Sequence, residues 1–219
     1  MKNRDYKVFA PDHYYHVFNR GVGKMDIFQD EEDYKFFLFR LKEYLFPKTE
    51  DAPLVRGASS VSRRGYIRKA LPQGAFRLIC YCLMPNHFHF LIRQDTELSI
   101  SKLMSKVCTG YSMYFNKKYE RTGTLFQDQY KAVLVDSDAY LLWLSAYIHN
   151  NPHAAGFVKN LQDWQWSSYP DYTGLRQGIL CDKEIILKIS GPSKTYSDFT
   201  HQALKKIKEK KDLENLLLD

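Results

Sequence analysis

The chain has no apolar run approaching the roughly 20 residues that a membrane-spanning helix needs, which excludes a helical membrane anchor within it. Its first residues, MKNRDYKVFAPDHYY, are too polar for a secretory signal. Cysteine is scarce. Cys80, Cys82, Cys108 and Cys181 show no disulfide-framework spacing, so a reducing, cytoplasmic setting is expected. Cys80-Tyr81-Cys82 leaves one spacer where structural zinc sites usually have two to four, and these thiols are expected in the core rather than on zinc. Internal repeats are absent. Acidic residues are in deficit, 25 against 32 Lys and Arg, giving a charge of +7. A basic surface favours polyanions, nucleic acid first.

What is present is a globular composition, 44% apolar and 15% aromatic over 219 residues, enough for one core with additions. Residues 14–20 alternate as a strand does, and Gly21 and Gly23 break it. Residues 30–46 begin acidic and carry apolar positions at helical spacing. Residues 75–84 and 87–93 read as strands joined by a Pro85-Asn86 turn, 98–119 as an amphipathic helix begun by Ser99 or Ser101, and 131–135 as a short strand. A last helix starts at Ser137 or Asp138 and is expected to end at Pro152. The order predicts an α+β, ferredoxin-like βαββαβ antiparallel sheet with helices packed on one face and an added C-terminal helical segment. The last helix is available to cover the other face. A main domain over residues 1–175 and an extension or tail over 176–219 are expected. The connection 47–74 is long and basic, with Arg56, Arg63, Arg64, Arg68 and Lys69. It is either an arm on a phosphate backbone or a solvated loop.

Two segments carry chemistry. In Pro85-Asn86-His87-Phe88-His89-Phe90, strand alternation puts His87 and His89 on one face and the phenylalanines on the other. Paired imidazoles on a strand make half of a metal site, or a pair of hydrogen-bonded structural histidines. In Tyr147-Ile148-His149-Asn150-Asn151-Pro152, Tyr147 and Asn151 share a helix face. A tyrosine hydroxyl can attack phosphorus, and Asn151 can offer a third ligand oxygen or close the helix end.

The segments LMPNHFHFLIR, RTGTLFQDQYK, YIHNNPHAAGFV and DWQWSSYPDYTG, in that order, resemble the single-tyrosine HUH transposases, above all the REP-associated tyrosine transposase branch. The likeness covers roughly residues 12–174; His153 and Gln129 depart from its usual pattern. It implies a ferredoxin-like fold and a metal-dependent endonuclease and transposase that cleaves and rejoins single-stranded or hairpin DNA, REP-like or transposon-end, as a monomer or homodimer. Carried over, His87, His89 and Asn151 match the ligands of Mg²⁺ or Mn²⁺, and Tyr147 matches the nucleophile that forms a 5′-phosphotyrosine. Imidazole donors suggest that Mn²⁺ serves at least as well as Mg²⁺. Arg20, Arg63, Arg64, Arg68, Lys117, Lys118, Arg121 and Lys131 are the expected DNA contacts. Tyr111 and Tyr114 compete with Tyr147, and two other readings stay open: a binding module without chemistry, and a phosphodiesterase using activated water.

Overall fold

The computed structural model describes residues 8–47 and 71–216. The chain runs β1 (His13–Arg20), α1 (Glu31–Leu45), β2 (Phe76–Met84), β3 (His87–Gln94), α2 (Ile100–Lys118), β4 (Lys131–Val135), α3 (Asp138–Ala154), α4 (Tyr169–Tyr172), α5 (Glu184–Ser190) and α6 (Ser193–Leu216). Each long helix of the first part starts where a side chain satisfies an orphan amide. Asp30 accepts from Asp33 N–H, Ser99 from Ser101 N–H and Ser137 from Tyr140 N–H. Gly21 follows β1 because a Cβ there would sit 2.2 Å from the Met25 carbonyl oxygen.

The four strands pair antiparallel in the order β2-β3-β1-β4, the ferredoxin-like arrangement expected from the element order. Period-2 alternation splits the side chains into two cores. Tyr15, Val17, Phe88, Phe90 and Ile92 face α1 and α2, among Phe37, Leu41, Leu103, Val107 and Tyr111. Cys80, Cys82, Met84, Leu91 and Val135 face α3, among Leu141, Leu144 and Ile148. A register shift between Leu78 and Cys80 lets Ile79 join Cys80 on the α3 side. The sheet thus lies between two helical layers, and α3 covers the histidine face.

Two features extend this frame. The outer edge of β2 is taken by the chain around Trp166, whose carbonyl accepts from Leu83 N–H at 2.9 Å, while Ser168 N–H donates to the Tyr81 carbonyl at 3.0 Å. Pairing of that kind protects an otherwise open edge. Arg176 pins the segment by gripping the buried Asp171 carboxylate at 2.6 and 2.8 Å. Beyond it α5 and α6 pack on α3, with Ile186 and Tyr196 in the same core as the sheet.

Pro152 does not end α3, which continues to Ala154. A proline in a helix removes one amide donor and crowds the carbonyl four residues back, here that of Ile148. Asn151 compensates: its Nδ2 donates to the Tyr147 carbonyl at 2.9 Å and reaches the Ile148 carbonyl at 3.4 Å. The helix therefore survives for its last turn.

Candidate active site

The turn Pro85-Asn86 and the start of β3 set the first part of the site. His87 and His89 are one alternation apart, with ring centroids 5.0 Å apart and planes at 87°. His87 Nδ1 lies 2.6 Å from Asn86 Oδ1. Asn86 is itself oriented, because its Nδ2 donates to the Lys24 carbonyl at 3.2 Å, so its oxygen is the atom that faces His87. His89 Nδ1 lies 2.9 Å from Nε2 of His16, a residue of β1 on the same sheet face. Burial lowers the His16 pKa to about 3, so its ring is neutral near pH 7.

The helix α3 brings the second part. Tyr147 is half-buried, edge-on to His89 at 5.9 Å and to His16 at 6.4 Å between centroids. Its ring stacks on Trp143 at 5.5 Å, and Ala203 and Ile207 of α6 belong to the cluster it packs against. The tyrosine and the histidine pair, 60 residues apart in sequence, therefore meet between sheet and helix. Asn151 lies one helical turn on, 4% exposed. Its amide nitrogen is spent on α3 carbonyls, so its oxygen is the group it can offer a ligand. Asn150 points elsewhere: it is fully buried and its Nδ2 donates to the Ala146 and Thr200 carbonyls, tying α3 to α6.

The competing tyrosines lie on the opposite face of the sheet. Tyr111 is fully buried there and its hydroxyl donates to the Ile27 carbonyl; burial raises its pKa far above the ordinary tyrosine value. The Tyr114 hydroxyl donates to Asp33 at 3.1 Å.

Beside His87 opens a cleft of about 470 Å³, lined by Phe18, Arg20, Lys24, Gln127 and Lys131 among others. Arg20 Nε donates to Gln127 Oε1 at 2.5 Å, which holds the guanidinium over the cleft wall. Arg20 and Lys131 thus share a cleft with His87, together with Lys24, which no motif in the sequence singles out. Lys118 is not: its ammonium is gripped by Asp30 at 2.7 Å, Asp33 at 2.9 Å and Glu32 at 3.3 Å, at the start of α1. Lys117 sits beside it in the last turn of α2. Arg121 donates to Asn116 Oδ1 at 3.3 Å and lies over the Phe115 ring. Arg63, Arg64 and Arg68 lie outside the described residues.

The donors present would suit a divalent ion held by imidazole, not one held by thiolates. Both imidazoles have Nδ1 engaged by protein, the arrangement in which metal-binding histidines present Nε2. Cys82 lies opposite His89 in register, but burial pushes its thiol pKa far up, so it stays protonated. Among the described residues there is no cluster of three His, Cys, Asp or Glu with metal-site geometry, so any third ligand to an ion on His87 and His89 would have to come from another residue type, such as Asn151. Also among the described residues, no helix is long and apolar enough to cross a membrane.

Residues 47–151 match the family described as "Transposase IS200 like", a span that holds His87, His89, Tyr147 and Asn151. A putative REP-associated tyrosine transposase of Haemophilus influenzae is 26% identical over 106 residues, covering 43% of this chain; the chain spans 59% of that relative's length. The solved structure of a REP-associated tyrosine transposase bound to a REP hairpin superposes with a TM-score of 0.53 at 13% identity, over 81% of this chain and 93% of the other. Residues 47–151 thus resemble the IS200-like transposases in sequence, part of the chain resembles a putative REP-associated tyrosine transposase, and the fold is similar to that of the solved structure of another.

Proposed function

We propose that this protein is a transposase that cleaves and rejoins single-stranded DNA beside a hairpin, with Tyr147 as the nucleophile. The observation that carries the reading is the 5.9 Å between the Tyr147 and His89 rings, on the face that also holds His87. It is supported by the IS200-like match and by the hairpin bound to the solved structural neighbour.

The chain's own residues divide the work as follows. Arg20, Lys24 and Lys131 line the cleft beside His87 and attract the phosphate backbone. Tyr147, braced by Trp143, directs its hydroxyl oxygen at the scissile phosphorus. The bond from that oxygen to phosphorus forms as the bond to the 3′ oxygen breaks. The tyrosine proton passes to solvent or base, the 3′ oxygen takes one up, and a 5′-phosphotyrosine remains. A 3′-hydroxyl then attacks that phosphorus and releases Tyr147, so rejoining needs no external energy source. His87, His89 and Asn151 would hold the divalent ion, Mn²⁺ or Mg²⁺, whose chemistry is to polarise the phosphate and offset charge in the transition state.

The test is incubation of the protein with a labelled single-stranded oligonucleotide carrying a hairpin, in Mn²⁺. The expected result is a covalent adduct on a denaturing gel that vanishes in Tyr147→Phe and in the His87→Ala, His89→Ala double variant. Cleavage that persists in Tyr147→Phe would assign the site to activated water instead. Binding without cleavage by the native chain would make it a recognition module.

A further inference from the structure

For His87 and His89 to act on one ligand, both rings must present an Nε2 lone pair. Asn86 settles this for His87. The Asn86 amide nitrogen is anchored on the Lys24 carbonyl, so its oxygen faces Nδ1 at 2.6 Å and can only accept. His87 therefore carries its proton on Nδ1. For His89 the partner is another imidazole, 2.9 Å away, which can donate or accept.

We infer that His16 is the acceptor, taking the Nδ1–H of His89 on its own Nε2 and thereby holding His89 in the tautomer whose Nε2 carries the lone pair. His16 is then a positioning residue of the site, with the task on β1 that Asn86 has in the β2-β3 turn. The geometry favours a fixed rather than a casual contact. The register pairs Phe18 with His89, so His16 lies diagonal to His89 on the neighbouring strand and cannot drift. Both rings are 8% exposed and nearly parallel, at 23° with centroids 5.1 Å apart. Tyr147 lies edge-on to both rings, so a change in the pair would reach the proposed nucleophile as well. Partners of this kind orient ligand imidazoles and raise their basicity, and losing one typically costs about 10–100-fold in metal affinity.

The inference rests on the proposed function for its purpose but not for its test. Imidazole nitrogen NMR on the metal-free protein, labelled with ¹⁵N-histidine, reads the tautomer directly; His89 is assigned by the loss of its signals in His89→Gln. The expected spectrum shows His89 protonated at Nδ1. Mn²⁺ calorimetry then compares two variants. His16→Leu cannot accept, and should mix the tautomers and weaken Mn²⁺ by about 10–100-fold. His16→Gln places an amide oxygen near the former Nε2, and should restore both readings to within a few-fold of native. A native His89 protonated at Nε2 overturns the inference, as does a folded His16→Leu protein with native tautomer and native Mn²⁺ affinity. If His16→Leu fails to fold, the native spectrum still decides. Failure to form a DNA adduct would count against the proposed function and leave the tautomer result standing.

Discussion

Lys118 offers a sharp test of which cations serve the fold and which serve the substrate. Its place at a basic helix end puts it among the expected DNA contacts; the structure sets its ammonium against three carboxylates of the α1 start. One of them, Asp33, is completely buried and also accepts from Gln29 N–H at 2.8 Å, Tyr119 at 2.8 Å and Tyr114 at 3.1 Å. Partial burial works against the Lys118 charge, but the hydrogen bonds to Asp30 and Asp33 outweigh it and raise its pKa. Lys118→Met removes the ammonium that these carboxylates grip and leaves the buried Asp33 carboxylate with its neutral donors. Stripping a buried ion pair of one partner costs about 3–5 kcal/mol. Three surviving hydrogen bonds and the 22% exposure of the lysine side chain bring the expectation below that range, to about 2–3 kcal/mol. For a chain of this size that is a fall in Tm of about 4–12 °C. Circular dichroism melts read the stability, and DNA affinity measured across a salt series reads the phosphate contacts. The salt slope should not change. A Tm within about 1 °C of native, or a slope reduced by about 0.7 as for one lost single-strand phosphate contact, would refute the structural assignment.

Arg20 and Lys131 should behave in the opposite way: replacing both by Gln should flatten the salt slope by about 1.4, two contacts' worth, with Tm nearly unchanged, and an unchanged slope would take the cleft off the DNA path. Acid should destabilise the fold through His149, whose hydrogen bonds to the Tyr196 and Ser168 hydroxyls join α3, α6 and the β2-edge segment at 2.7 and 2.8 Å. Burial, and secondarily the charge of Arg176, lowers its pKa from 6.5 to about 3. The folded value lies below the unfolded one, so this contribution is full above about pH 6.5 and is lost as pH falls, by up to about 1.4 kcal/mol per unit. Urea midpoints at pH 7 and pH 5 should show the loss, and His149→Gln should reduce the pH dependence by that one group; an unreduced dependence would contradict it. Replacing Mg²⁺ by Mn²⁺ should leave cleavage equal or faster, because imidazole donors favour the later metal, and clear superiority of Mg²⁺ would argue against ligation by His87 and His89.

Much of this arrangement is legible in the amino-acid sequence. The pairing of His87 with His89 follows from strand alternation alone, and the βαββαβ order dictates a sheet with one face left for α3 to cover. Ser99, Ser137 and the acidic start of α1 mark helix beginnings by local hydrogen bonding, which sequence records well. His16 is not legible, although it lies in a strand that is. Its meaning depends on the β1-β3 register, which places it diagonal to His89, and register is set by the whole sheet. Pro152 misleads for a related reason: the compensation comes from the Asn151 side chain, a contact that helix-ending rules do not contain. Lys118 illustrates the same limit for charge, since a lysine at a helix end looks alike whether it meets phosphates or, as here, a carboxylate 85 residues earlier in the chain.

The central claim is that Tyr147 carries the covalent bond to DNA, and it is tested most directly by mapping the bond. The native protein is trapped on a hairpin-bearing single strand in Mn²⁺, the DNA is trimmed to a residual nucleotide, and the peptides are sequenced by mass spectrometry. The account predicts the nucleotide on the peptide containing Tyr147, with Tyr111 and Tyr114 unmodified behind the sheet. A nucleotide on any other tyrosine, or strand cleavage with no modified peptide, would contradict it.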